Sequence, residues 1–155
     1  MKILGVTGSP IYKSNTDRAL KVALEATGLE TELIKLSEYT ITPCRACLGC
    51  VDTNRCVNTR DDGILLAEKV KGADALIIAC YTPYSSLDSL TKAFIERLYP
   101  LRHKHGFMAG KPGGVIVSGA IPDTNKALPP ACDMAIQAIM FYMMEEGMNF
   151  VGAVK

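Results

Sequence analysis

The sequence lacks an excess of either charge. Its 155 residues contain 17 Lys and Arg against 16 Asp and Glu, which gives a formal net charge of +1. Proteins that bind nucleic acid or an anionic membrane surface electrostatically usually carry a strong basic excess. We therefore expect neither of these partners, and we predict recognition through shape and specific chemistry.

Long apolar runs are also missing. No stretch approaches the roughly 18 apolar residues of a membrane-spanning helix, and the N-terminal apolar run meets Gly8 and Ser9 too early for a signal peptide. We therefore predict a cytoplasmic protein. The chain has no internal repeat, and its length is typical of a single domain, residues 1–155, with one buried core.

Two kinds of catalytic signature are absent. No histidine or pair of carboxylates stands out as acid–base machinery, since His103 and His105 lie in a basic segment that predicts an exposed loop. The Gly-x-Gly-x-x-Gly fingerprint of dinucleotide-binding folds is absent after the first predicted strand. This weakens the case for a dinucleotide-binding domain of that type.

Hydrophobic runs and helical patterns alternate along the chain. The pattern predicts strands over Lys2–Thr7, Glu30–Leu36, Ala73–Cys80, Gly113–Ser118 and Asn149–Val154. It predicts helices from Ser14 or Asn15 to Thr27, from Asp61 or Asp62 to Lys71, over Ser86–Tyr99 and over Pro130–Glu146. Such alternation indicates an α/β fold with a doubly wound, five-stranded parallel sheet, and it leaves both common strand orders open.

The sequence stops at Lys155, beside the fifth predicted strand, so the pattern lacks the last helix of such a sheet. We expect a neighbouring subunit or further residues of the natural protein to cover that apolar face. A methionine-rich segment is one candidate subunit interface, although methionine at helical spacing is more often typical of core filling. Its members are Met134, Met140, Met143, Met144 and Met148.

Four of the six cysteines are crowded into one short segment: Cys44, Cys47, Cys50 and Cys56. Their spacing lets consecutive sulfurs surround one small object, which favours a 4Fe-4S cluster held by thiolates. Zinc, a redox disulfide or no metal remain alternatives, although disulfides are disfavoured in the cytoplasm. Cys80 and Cys132 lie in apolar segments and are predicted to be buried side chains without chemistry.

A second candidate site lies between the first strand and the first helix. Backbone N–H groups converge at a helix N-terminus and favour an anion there. The segment supplies further donors from Ser9, Ser14, Asn15 and Thr16, and its nearest positive charge is Lys13. The pattern predicts a phosphate site, although capping of the helix alone would explain Ser14 and Asn15.

These motifs together resemble the NAD(P)H-dependent FMN reductases of flavodoxin-like fold, and within them the iron-sulfur flavoproteins of anaerobic archaea and bacteria. The resemblance spans nearly the whole chain, but Ile11 and Tyr12 stand where family members often carry a basic residue. The matching motifs are Gly8-Ser9-Pro10 with Ser14-Asn15-Thr16, Pro43 with the four cysteines and Asp61-Asp62, Thr82-Pro83, Lys92-Ala93-Phe94-Ile95-Glu96-Arg97, and Ser118-Gly119.

The resemblance implies FMN at the carboxyl ends of the strands. Its phosphate would be held by Ser9, Ser14, Asn15 and Thr16. Its isoalloxazine ring would be lined by Thr82, Pro83, Tyr84, Ser85 and Ser86, and flanked by Ser118, Gly119 and Ala120. The four clustered cysteines would map onto the ligands of a 4Fe-4S cluster. Lys92 and Arg97 match a family helix, and we expect both on its solvated face.

The expected function is electron transfer. We predict an FMN-dependent oxidoreductase that takes electrons from reduced ferredoxin or NAD(P)H and delivers them to a small acceptor, such as a quinone or an oxygen species. The alternatives are a flavodoxin-type carrier without a substrate of its own and a plain NAD(P)H-dependent FMN or quinone reductase with no cluster. A homodimer or homotetramer is expected.

Overall fold

Five parallel strands form one sheet in the computed structural model, which describes residues 1–122 and 124–155. Their order is β2-β1-β3-β4-β5, which is the flavodoxin-like order of a doubly wound sheet. The strands are β1 (Lys2–Thr7), β2 (Glu30–Lys35), β3 (Ala75–Tyr81), β4 (Pro112–Ser118) and β5 (Asn149–Val154). This confirms the predicted fold class and chooses between the two strand orders that the pattern left open.

Four α-helices lie within the described residues: α1 (Asn15–Ala26), α2 (Gly63–Gly72), α3 (Ser89–Arg97) and α4 (Ala131–Glu145). All four were predicted, but α3 is shorter than expected at both ends. Asp88 caps its first turn through its side chain, and Pro100 disfavours helical backbone at the residue before it. Short 3₁₀ turns follow at Leu36–Glu38, Pro83–Ser85 and Tyr99–Leu101.

The two faces of the sheet are covered unequally. Helices α2, α3 and α4 contribute to the larger core cluster, which includes Leu4, Ile78 and Phe94. On the other face, Leu20 and Leu24 of α1 pack in a smaller apolar cluster with sheet residues such as Ile116. The outer part of that face is open, so Val151 and Val154 of β5 are 71% and 66% exposed. What covers this face stays a prediction.

The methionine-rich segment divides between core and surface. Met143 and Met148 are buried, whereas Met134 and Met144 are exposed. The structure therefore supports core filling for two of them and leaves two available for an interface. Within residues 1–122 and 124–155, no helix is both long enough and apolar enough to cross a membrane.

Candidate functional site

The predicted binding segments follow the carboxyl ends of neighbouring strands. Because β1, β3 and β4 are parallel, the loops after Thr7, Tyr81 and Ser118 all leave the same edge of the sheet. Helices attached to β1 and β3 lie on opposite faces, so the strand connections diverge between these two strands. Ligands of open parallel sheets bind at such a switch point.

The loop after β1 is held close to its neighbours. Gly8 N donates to Ala79 O of β3 at 2.9 Å. A Cβ atom at Gly8 would lie 2.0 Å from Thr91 Oγ1 and 2.5 Å from the carboxylate oxygens of Asp88, so the loop has no room for a side chain there. Ser9 is buried beside it. The site thus depends on the first turn of α3 as well as on its own loop.

Ser14 caps α1 and belongs to a capping box. Its Oγ accepts from Asp17 N at 3.0 Å, and Asp17 Oδ2 accepts from Ser14 N at 3.2 Å. The Asp17 carboxylate also accepts from Thr7 Oγ1 at 2.9 Å. The capping role of Ser14 is therefore present, and it is compatible with a phosphate at the same helix end.

Lys35 of β2 contacts the loop after β1, in addition to Lys13, which is the nearest positive charge along the sequence. Lys35 Nζ donates to Ile11 O at 2.8 Å and to Asp17 Oδ2 at 2.6 Å. Burial acts to raise the pKa of the Asp17 carboxyl, but hydrogen bonds from Lys35 and Thr7 outweigh it and hold the pKa below its usual value. Since Asp17 neutralises Lys35, an anion here would rely mainly on neutral N–H and O–H donors.

The structure brings the three predicted cofactor-binding segments together. The buried Thr16 lies with its Oγ1 at 2.5 Å from Ser118 Oγ, which joins the start of α1 to the end of β4. A Cβ at Gly119 would lie 2.9 Å from Thr82 Oγ1, so the loops after β3 and β4 touch. Asn15 and Ala120 are exposed at the same edge.

The loop after β3 has an unusual backbone. Tyr84 and Ser85 have φ of 50° and 57°, in the left-handed region that side-chain-bearing residues rarely adopt. Tyr84 is fully exposed, while Pro83 and Ser85 are half-buried and Ser86 is exposed. Strain of this kind concentrates at ligand-binding sites, and here it falls on the segment predicted to line an isoalloxazine ring.

All four clustered cysteines line one pocket beside the last turn of α3 and the 3₁₀ turn that follows it. Burial raises the pKa of the Cys50 thiol, and the neighbouring thiols of Cys56, Cys44 and Cys47 raise it further. Ala46 and Leu48 have φ of 50° and 57°, so the backbone between the first three cysteines is coiled tightly.

The donor set of this pocket consists of the four cysteine thiols. Among the described residues, no group of three or more His, Cys, Asp or Glu side chains is arranged to hold a metal ion. The sulfurs therefore share a pocket without converging on one point. The number and type of donors fit a 4Fe-4S cluster, which takes one thiolate on each of four irons.

Arg97 corrects a prediction of the sequence. It was expected on a solvated helix face, but it is only 3% exposed, and its Nη1 donates to Asp61 Oδ2 at 2.6 Å. Burial acts to raise the pKa of Asp61, but hydrogen bonds from Arg97 and Thr42 hold it well below its usual range. Lys92, by contrast, is exposed as predicted and pairs with Glu96 at 3.0 Å.

His103 departs from the expectation of a wholly exposed basic loop. It is half-buried, its ring lies edge-on to Tyr99, and its Nε2 is 3.4 Å from Cys50 Sγ. His105 is exposed, as predicted. The contact with Cys50 was not detectable from the sequence, because the two residues are 53 positions apart.

Helix α3 contacts both candidate sites. Its first turn, with Asp88 and Thr91, packs against Gly8, whereas Arg97 in its last turn lines the cysteine pocket. At about 1.5 Å per residue, the nine residues of α3 span roughly 13 Å. Sequence reasoning missed Asp88 and Thr91 here, and the side-chain cap of α3 was the available signal.

Comparison with known proteins matches the chain to a family over most of its length. The sequence profile of the NADPH-dependent FMN reductases matches residues 1–140. The iron-sulfur flavoprotein of Methanosarcina thermophila is 31% identical over 155 residues, which cover 98% of this chain and 78% of that protein. An iron-sulfur flavoprotein of Methanocaldococcus jannaschii is 33% identical over 156 residues, with 98% of this chain and 76% of that protein covered.

Solved structures share the fold. RosB with bound 8-demethyl-8-formylriboflavin-5'-phosphate superimposes with a TM-score of 0.77 at 17% identity, covering 97% of this chain and 61% of that one. A flavodoxin from the domain Archaea gives a TM-score of 0.61 at 17% identity, covering 99% and 82%. The flavodoxin-like architecture is thus confirmed, and the sequence matches carry the assignment further: this chain belongs to the NADPH-dependent FMN reductase family and, within it, to the iron-sulfur flavoproteins.

Proposed function

We propose that this oxidoreductase passes electrons between a reduced donor and a small acceptor by means of a 4Fe-4S cluster and FMN. FMN supplies exchange of electrons in pairs or singly, and the cluster supplies exchange one at a time. The observation that carries the proposal is the double contact of α3. One short helix joins the loop after β1 to the pocket that the four cysteines line.

The FMN phosphate would bind at the start of α1, held by the hydroxyls of Ser9, Ser14 and Thr16 and by Asn15. Gly8 leaves no room for a side chain in this loop, and Asp17 neutralises Lys35. The phosphate would therefore rely on neutral N–H and O–H donors. Residues 82–86 would line the isoalloxazine ring, and residues 118–120 would flank it. The contact between Gly119 and Thr82 supports this joint role of the two loops.

The cluster would be held by Cys44, Cys47, Cys50 and Cys56. A single zinc ion draws its four ligands to within about 2.3 Å of one point. Zinc is the alternative occupant of these four thiols, and the Cys-x2-Cys-x2-Cys spacing is what favours a cluster. The exposed thiols of Cys44 and Cys47 would place one side of the cluster near solvent, where a redox partner can approach.

Reduced ferredoxin or NAD(P)H is the proposed electron donor, and a quinone or an oxygen species is the proposed acceptor. A homodimer or homotetramer would cover the open apolar face near Val151 and Val154. The protein would act by positioning its cofactors, since the flavin and cluster supply the redox chemistry.

The proposal is tested by purifying the protein without oxygen and measuring iron, acid-labile sulfide and FMN per chain. We expect about four irons, four sulfides and one FMN per chain. Cys56→Ser should reduce the iron content and leave FMN binding intact. Cys80→Ala is the control, because the buried Cys80 lies outside the cysteine pocket. FMN without iron in the wild-type protein would overturn the cluster and support the plain reductase.

A turnover assay distinguishes an enzyme from a flavodoxin-type carrier. NAD(P)H oxidation with a quinone or dye by the purified protein would support an enzyme. Efficient electron exchange with ferredoxin, combined with failure on every nicotinamide and quinone tested, would support the flavodoxin-type carrier.

A further inference from the structure

Arg97 is a buried cation directed at the cysteine pocket. It ends α3, where a basic side chain normally extends into solvent, yet it is 3% exposed. Burying a guanidinium is costly unless it is paired and hydrogen-bonded. Its position beside four thiols therefore calls for an explanation beyond the solubility of a helix face.

The guanidinium is fixed in place by three surrounding groups. Nη1 donates to Asp61 Oδ2 at 2.6 Å and to Thr42 O at 3.0 Å. A Cβ atom at Gly63 would lie 2.4 Å from Arg97 Nη2, so the start of α2 packs directly against the guanidinium plane. These contacts leave the side chain little freedom to rotate.

With Nη1 occupied, the other terminal nitrogen faces a cysteine. Nη2 donates to Cys56 Sγ at 3.5 Å, and Asn58 N donates to the same sulfur at 3.5 Å. Cys56 thus accepts from a permanently charged donor and from a backbone amide. Arginine keeps its proton at any physiological pH, so this donor is always present.

We infer that Arg97 is a positioning residue that directs an N–H···S hydrogen bond at Cys56 and thereby raises the reduction potential of the cluster. The inference rests on the proposed function, because it needs a cluster bound by Cys56. Hydrogen bonds to the sulfurs and nearby charge are established determinants of iron–sulfur potentials. The N–H dipole that Nη2 directs at the sulfur stabilises the more negative, reduced state and so favours reduction.

Asp61 has a separate task in this arrangement. It compensates the charge of Arg97 and fixes Nη1, which leaves Nη2 free to face Cys56. The redox step itself is simple. One electron passes from a reductant such as dithionite to the oxidised cluster, while the guanidinium proton stays on Arg97 and no bond forms or breaks at Cys56.

The test is an anaerobic redox titration of the loaded protein, followed by electron paramagnetic resonance. Arg97→Met should lower the equilibrium constant for reduction by about tenfold, which corresponds to about 59 mV for a one-electron couple. Arg97→Lys, which keeps the charge, should recover part of the shift. Lys21→Met is the control, because it removes an exposed cation that pairs with Glu25 on α1, outside the cysteine pocket, and it should leave the potential unchanged.

Removing Arg97 alone leaves Asp61 buried and unpaired, which threatens folding. Arg97→Met combined with Asp61→Asn removes both charges and provides a second variant. If neither variant holds a cluster, electron–nuclear double resonance of the reduced wild-type protein decides the matter. Arginine enriched in the heavy stable isotope of nitrogen should give a nitrogen coupling in the wild-type protein. That coupling should persist in Arg45→Lys, because Arg45 is the other arginine that lines the cysteine pocket among the described residues.

These experiments distinguish a failure of the role of Arg97 from a failure of the proposed function. Equal potentials in wild type and Arg97→Met, or a labelled wild type without arginine coupling, would overturn the role of Arg97 and leave the cluster in place. A wild-type protein without iron would overturn the proposed function and this inference together.

Discussion

At the scale of single residues, Ser14 shows how one side chain can serve folding and binding together. Its hydroxyl accepts from Asp17 N, which satisfies one of the free N–H groups at the start of α1. The remaining donors at that helix end are suited to an anion. Because serine and aspartate cap helices about equally well, the two roles can be separated by substitution.

We predict that Ser14→Asp leaves the free energy of unfolding within about 0.5 kcal/mol of wild type. Its carboxylate should instead repel the phosphate of FMN and weaken FMN binding by about tenfold or more. Urea denaturation and flavin fluorescence titration measure the two effects. Riboflavin, which has no phosphate, is the control ligand and should bind both proteins alike. Equal FMN affinity in both proteins would leave Ser14 with a capping role only.

At the scale of elements, the loop after β1 and the first turn of α3 form one packed unit. Gly8 lies against Thr91 and Asp88, and Asp88 Oδ1 accepts from Thr91 N at 2.8 Å to cap α3. A side chain at position 8 would have to displace this cap. The geometry of the loop therefore depends on a helix that begins 81 residues later.

Gly8→Ala should lower the free energy of unfolding by about 1 to 3 kcal/mol, as overpacking of a close contact does. FMN affinity should fall as well, because the loop must move away from α3. Gly72→Ala is the matched control, since a Cβ there meets nothing within 4 Å and Gly72 ends a helix. Denaturation curves that are the same for Gly8→Ala and Gly72→Ala would contradict the close contact.

The elements themselves were largely predictable, and their packing was not. Periodicity located all five strands and all four described helices, because burial of one face imposes a regular pattern on the sequence. The same patterns could not show that Arg97 turns inward to Asp61. That contact joins residues 36 positions apart and depends on how α2 and α3 meet.

At the scale of the whole molecule, a buried carboxyl outside the candidate sites affects the free energy of unfolding. Glu146 follows α4 and is 6% exposed, and its Oε2 has no hydrogen-bond partner in the part of the chain that the structure describes. Burial raises the pKa of its carboxyl to about 7, while the Arg102 guanidinium opposes the rise and Glu145 adds to it. The Tyr142 hydroxyl is buried nearby and is likewise without a described partner.

This carboxyl should make the protein less stable as pH rises. The unfolded chain loses the proton near the ordinary value of 4.5, whereas the folded chain keeps it until about pH 7. Between these values the unfolded state binds fewer protons, so the free energy of unfolding falls with rising pH. The penalty is absent below pH 4.5 and complete above pH 7.

Glu146→Gln should remove that dependence, since an amide does not ionise. We expect the variant and wild type to have similar free energies of unfolding near pH 4.5. The variant should be more stable at pH 8 by on the order of 1 to 3 kcal/mol. Urea denaturation across this range measures the difference, which also cancels contributions from other carboxyls such as Asp17. A difference that stays constant with pH would contradict the assignment.

The sequence by itself determined the α/β class, the loop at the start of α1 and the cysteine segment, because these are local patterns of burial, capping and spacing. Only the tertiary structure decided which distant groups meet them: Lys35 at the loop after β1, Asp88 against Gly8, and Arg97 beside Cys56. The reason is physical. Close packing selects contacts by the shape of the assembled fold, and separation along the chain does not encode that shape.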